Sequence, residues 1–113
     1  MTRLAQCSPV ATPTPPDFSF YQKRADSFNA KGDYDLAIND YNRAAELNPK
    51  ETSIFFSRGL IYFNRKNYDL AVADYDKVIE LNPKDVKAYL NRGSSYEKMG
   101  NTAKALADYQ KAV

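Results

Sequence analysis

Three arginines and three aspartates recur in this chain at a spacing that could do chemistry. Arg24, Arg58 and Arg92 stand 34 residues apart, and Asp40, Asp74 and Asp108 follow them at a constant sixteen. Two chemistries are open to such a set. A ladder of guanidinium groups could bind acidic ligands through paired N–H donors. Alternatively, each arginine could pair with the aspartate of its own unit, and this is the expectation. Residues equidistant from the turn of an antiparallel helix pair face one another, and turns near Gly32, Lys66 and Gly100 bisect the three intervals. Exposed pairs contribute about 0–1 kcal/mol and buried ones are offset by desolvation, so the pairs should fix helix pairing more than add stability.

The rest of the inventory argues against catalysis. There is no histidine, and Cys7 is the only cysteine. Without histidine there is no Ser–His or Cys–His nucleophile pair and no imidazole metal ligand. One cysteine makes neither an internal disulfide nor a thiolate cage. Carboxylates alone can catalyse some hydrolyses, but the acidic residues here recur at the repeat spacing, which suits helix caps and surface pairs. The reading is a non-enzyme with no cofactor and no metal site. A net charge of +2 gives no strong field to favour nucleic acid.

No apolar run approaches the ~20 residues needed to span a bilayer, and the first six residues lack the apolar stretch of a secretory signal. Leu4-Ala5-Gln6-Cys7 is similar to a bacterial lipoprotein cleavage box followed by a Ser/Pro/Thr tether, although Gln6 is a poor fit for the small residue expected there. Compartment is thus open between a cytoplasmic protein, which is preferred, and an exported lipoprotein anchored at Cys7 after removal of a signal peptide.

The elements that must position these side chains come from an internal repeat. The segment YDLAINDYNRAAELNPK from Tyr34 returns as YDLAVADYDKVIELNPK from Tyr68, with eleven of seventeen positions identical. A weaker third copy runs through Thr102, Ala105, Asp108, Tyr109 and Ala112. A fixed period of this length marks a stacked-repeat protein, in which each unit needs its neighbours to bury its apolar face. Residues 8–16 hold four of the six prolines, so residues 1–17 read as a flexible Pro/Thr-rich tail. Asp17 is placed to cap the first helix. From Phe18 the apolar spacing is helical, as in Tyr21, Ala25 and Phe28. Turns at Gly32-Asp33, Asn67 and Gly100-Asn101, with stops at Pro49 and Pro83, divide the chain into six helices and three units, 18–51, 52–85 and 86–113.

These positions resemble the tetratricopeptide repeat. The central unit supplies Phe55, Arg58-Gly59, Tyr62, Ala71, Tyr75 and Pro83 at matching intervals; the first supplies Tyr21, Arg24-Ala25, Phe28, Ala37, Tyr41 and Pro49. The third supplies Tyr89, Arg92-Gly93, Tyr96, Ala105 and Tyr109. The arginines stand where the family prefers leucine. The resemblance implies an all-α, right-handed superhelical array of antiparallel helix pairs. It also implies that the first helix of each pair lines an inner groove holding a peptide or helix of a partner protein. The corresponding candidates are Gln22, Asp26 and Asn29 in the first unit, Phe56, Leu60 and Phe63 in the second, and Lys87, Leu90 and Ser94 in the third. Phe56, Leu60 and Phe63 share one helical face, distinct from the face carrying Phe55, Gly59 and Tyr62. Family members that grip a chaperone's terminal carboxylate carry Lys, Asn, Asn, Lys and Arg at five groove positions. Here these read Gln22, Asp26, Ser57, Lys87 and Asn91; only Lys87 fits, and Asp26 would repel a carboxylate.

The alternative function is a structural or self-assembly module. Leu106, Tyr109 and Val113 lie at i, i+3, i+7, and no turn proline or solvating helix follows them in the sequence as printed. The expectation is self-association through this end, as a two-fold dimer.

Overall fold

The computed structural model describes residues 15–113, so Cys7 and nearly all of the expected tail lie outside the described residues. Six helices follow in order: α1 Phe18–Lys31, α2 Tyr34–Leu47, α3 Thr52–Asn64, α4 Tyr68–Leu81, α5 Val86–Lys98 and α6 Thr102–Lys111. The described residues contain no strand.

Local chemistry explains where these helices begin and end. The Phe20 amide donates to Asp17 Oδ1 at 3.1 Å, satisfying one orphan donor at the start of α1. Asp85 and Asn101 cap α5 and α6 in the same way. Asp33 and Asn67 occupy the corresponding positions of α2 and α4 without a side-chain cap bond; there the backbone carbonyl alone opens the helix. The first helix of each pair ends on a left-handed residue whose successor donates back to the last turn, for example Asp33 N to Phe28 O at 2.9 Å. That residue is Gly32 and Gly100 at φ 83° in the outer pairs, but Lys66 at φ 65° in the central one. Asn48 and Asn82 leave the helical region ahead of Pro49 and Pro83.

Packing follows the repeat. α1 pairs with α2, α3 with α4 and α5 with α6, while α2 against α3 and α4 against α5 join the pairs into a stack. Small residues set the approach within each pair. A Cβ added at Gly59 would lie 2.9 Å from Tyr75 Cε1, and one at Gly93 would lie 2.7 Å from Tyr109 Cε1. Ala37, Ala71 and Ala105 are buried on the opposite helices. Tyr41, Tyr75, Ile54, Ile61 and Val78 are the largest apolar side chains in the dry interior.

Candidate functional site

The arginine–aspartate set has a structural role. Arg24, Arg58 and Arg92 each donate through Nε and Nη2 to the two carboxylate oxygens of Asp40, Asp74 and Asp108, over 2.6–2.9 Å. The guanidinium lies over the aromatic ring three residues before it: Arg24 over Tyr21, Arg58 over Phe55 and Arg92 over Tyr89, 5.5–5.8 Å from the centroids. Ring and carboxylate together let a charged residue occupy a slot that leucine would fill by packing alone. Burial pushes the Asp74 carboxyl up, and the hydrogen bonds and charge of Arg58 pull it back only in part.

Each interior arginine also makes a third bond that spacing within one unit does not reveal. Arg58 Nη1 reaches back to Asn42 Oδ1 at 2.7 Å, and Arg92 Nη1 to Asp76 Oδ1 at 2.8 Å. Asn42 and Asp76 are themselves 34 residues apart, which is the signal that could have found them.

The face of α1, α3 and α5 expected to line a groove has an apolar centre between polar flanks. On α3, Phe56 and Phe63 are half-buried, with rings edge-on to Tyr75 and Tyr68 at 5.8 and 5.4 Å. Leu60, on the same stripe, is 38% exposed, and Leu90 on α5 is 43% exposed. The flanks are engaged with their neighbours. Gln22 Nε2 donates to Ser53 Oγ at 2.6 Å, and the Tyr41 hydroxyl donates to Asp26 Oδ1. The Tyr109 hydroxyl donates to Glu97 Oε1 at 2.7 Å and lies 3.4 Å from Ser94 Oγ. Asn29 is half-buried and Lys87 is exposed.

Tyr41 and Tyr109 thus reach across their pairs to the first helix, where the one hydroxyl meets Asp26 and the other meets Glu97 and Ser94. In the middle unit the position equivalent to Asp26 and Ser94 is Leu60, which offers no side-chain acceptor, and the Tyr75 hydroxyl is buried without a hydrogen-bond partner among the described residues. Burial pushes the Tyr41 and Tyr75 phenols above the ordinary tyrosine value. Beside Phe56, where α3 meets the start of α5, Ser53, Ser57, Val78, Asp85 and Lys87 help line a cavity of about 250 Å³. No group of three or more carboxylate or thiol side chains among the described residues is placed to hold a metal ion. Among the described residues, no helix is long and apolar enough to cross a membrane.

Of the expected self-association residues, Leu106 and Val113 are exposed. Tyr109 is half-buried, its ring held against Gly93.

Solved structures share this architecture. The chain superposes on MamA with a TM-score of 0.83 and 26% identity, covering 85% of this chain and 56% of that one, so it spans little more than half of MamA's length. The first TPR domain of Spaghetti (RPAP3), solved with the HSP90 peptide SRMEEVD, matches at a TM-score of 0.80 and 24% identity over 85% of this chain and 76% of that one. The N-terminal domain of stress-induced protein-1 from C. elegans matches at 0.79 and 18%, over 84% and 80%. No curated protein sequence matches significantly. A family model described as TPR repeat matches residues 25–65 and again 59–100. Two overlapping matches whose starts are offset by the 34-residue period settle the membership: the chain belongs to the tetratricopeptide (TPR) repeat family.

Proposed function

We propose that this chain is a non-catalytic module that holds an apolar segment of a partner protein, extended or helical, against the face formed by α1, α3 and α5. One observation carries the reading. Leu60 and Leu90 remain exposed on a face whose aromatic neighbours, Phe56 and Phe63, are only half-buried, while polar side chains flank them on both sides. Apolar surface bounded in this way is characteristic of interaction sites. The cavity beside Phe56 is of a size to take one side chain of the ligand.

The groove chemistry favours an apolar ligand over a terminal carboxylate. Among Gln22, Asp26, Ser57, Lys87 and Asn91 there is one cation, Gln22 is engaged by Ser53, and Asp26 adds negative charge. The HSP90 peptide seen on Spaghetti is therefore not the ligand proposed here.

The test is capture of partners from the source cell by wild type and by Leu60→Glu with Leu90→Glu. Both sites are exposed, so circular dichroism should be unchanged while a wild-type partner is lost. Leu70→Glu, at an exposed position on α4, should retain that partner. Retention of every partner by the double variant would refute the groove.

A further inference from the structure

The two interfaces between successive pairs are built alike. In the first, Ile54 and Ile61 of α3 are buried, with Ile38 and Ala45 of α2 packed against their cluster, while Arg58 Nη1 donates to Asn42. In the second, Ala88 is buried with Val78 and against Ile79, Ser95 is fully buried, and Arg92 Nη1 donates to Asp76. Moving 34 residues back from Ile54, Arg58 and Ile61 gives Phe20, Arg24 and Ser27 on α1. Moving 34 forward from Val72, Asp76 and Ile79 gives Leu106, Gln110 and Val113 at the other edge of the stack.

Both sets are open. Phe20 is 45% exposed where Ile54 and Ala88 are fully buried, and Leu106 is 55% exposed. Ser27, Gln110 and Val113 are exposed as well. The Arg24 side chain is 49% exposed, against 18% for Arg58 and 20% for Arg92. Its Nε and Nη2 hold Asp40, and its Nη1 has no acceptor among the described residues.

We propose that these are the two halves of one interface, and that the outer face of α1 receives α6 of a second copy of this chain. Arg24 Nη1 then donates to Gln110 Oε1 of the neighbour, as Arg58 does to Asn42 and Arg92 to Asp76. Phe20 covers Leu106 and Val113, taking the place that Ile54 holds in the cluster against which Ile38 and Ala45 pack. The complementarity needs no new chemistry, because the chain already makes this contact twice internally. Each copy uses two different faces, so the contact is heterologous and addition does not stop at two. This differs from the two-fold dimer that the α6 stripe alone leads one to expect.

The experiment is sedimentation of the full chain across concentration. Wild type should grow beyond two chain masses. Ser27→Arg blocks only the α1 face and Leu106→Arg only the α6 face, so each alone should be monomeric. Mixed in equal amounts they should give a 1:1 complex and nothing larger. Phe20→Lys and Gln110→Lys form a second pair, with circular dichroism confirming that every variant is folded. A wild type that is monomeric throughout overturns the proposal. So does a dimer abolished by Leu106→Arg yet indifferent to Ser27→Arg. Leu60→Glu with Leu90→Glu should leave the assembly intact, which separates this outcome from the fate of the groove.

Discussion

Arg58 holds both oxygens of Asp74, at 2.9 and 2.6 Å, across the two helices of the central pair. The carboxylate is almost inaccessible and the guanidinium is covered by the Phe55 ring. Attraction in such a place is set against the cost of taking both charges out of water. Burial pushes the Asp74 carboxyl up against the pull of Arg58. It also pushes the Arg58 guanidinium down against the hydrogen bonds and charge of Asp74, which hold it above its ordinary value. The pair therefore acts mainly as a register device.

Removing one partner should be far worse than removing both. Arg58→Leu strands a buried carboxylate and should cost about 3–5 kcal/mol. Adding Asp74→Leu should return part of that loss, with a coupling of at least ~1 kcal/mol in urea denaturation. Additive effects would mean that the bidentate contact has no energetic weight.

Tyr41 and Tyr75 occupy equivalent positions but differ at the hydroxyl. Tyr41 donates to the carboxylate of Asp26, whereas the equivalent position in the unit of Tyr75 is Leu60, and the Tyr75 hydroxyl has no partner among the described residues. Tyr41→Phe should cost about 1.5–3 kcal/mol, and Tyr75→Phe should be neutral or stabilising. A loss above ~1 kcal/mol for Tyr75→Phe would show that its hydroxyl is satisfied.

The same tyrosines set an alkaline limit. Burial raises both phenols above their ordinary value of 10.0. A raised folded-state value means their contribution is complete below about pH 10 and is lost as pH climbs through the folded values. Stability should fall above pH 10, and Tyr75→Phe should make that fall shallower in denaturation curves taken at stepped pH.

Lys66 adopts φ 65° at the turn where Gly32 and Gly100 adopt 83°. A side chain in the left-handed region costs about 1–2 kcal/mol, while glycine adds unfolded-state entropy worth about 0.4–1 kcal/mol. Lys66→Gly should therefore raise stability by roughly 0.5–1 kcal/mol. The converse change, Gly100→Ala, should lower it. Calorimetric melting decides both, and a destabilised Lys66→Gly would mean the lysine side chain makes a compensating contact.

Much of this was legible because the repeat prints each contact more than once. The sixteen-residue interval located the Arg–Asp pairs, and the 34-residue period located all six helices. The bonds from Arg58 to Asn42 and from Arg92 to Asp76 were harder to see, because they cross between units and depend on how one pair is rotated on the next. Within the central pair, Tyr68 and Tyr75 of α4 set their rings edge-on to Phe63 and Phe56 and leave them half-buried rather than open like Leu60. Helical spacing assigns a residue to a face; depth on that face is decided by the neighbouring helix.

The glycines at the heart of the second and third pairs test how far that neighbour can yield. A Cβ at Gly93 would come closer to its tyrosine than one at Gly59, 2.7 against 2.9 Å. Distance alone ranks Gly93→Ala as the more damaging change. Mobility ranks them the other way. Tyr75 is fully buried and backed by Phe56, so its ring has nowhere to go, whereas the half-exposed Tyr109 can shift outward at the cost of its bond to Glu97. Alanine also recovers about 1 kcal/mol of helix propensity at either site. Gly59→Ala should therefore cost about 1–3 kcal/mol through overpacking, and Gly93→Ala should stay within about 1 kcal/mol of wild type. Urea midpoints of the two variants measure the ranking; a larger loss at Gly93 would show that Tyr109 is as firmly held as Tyr75.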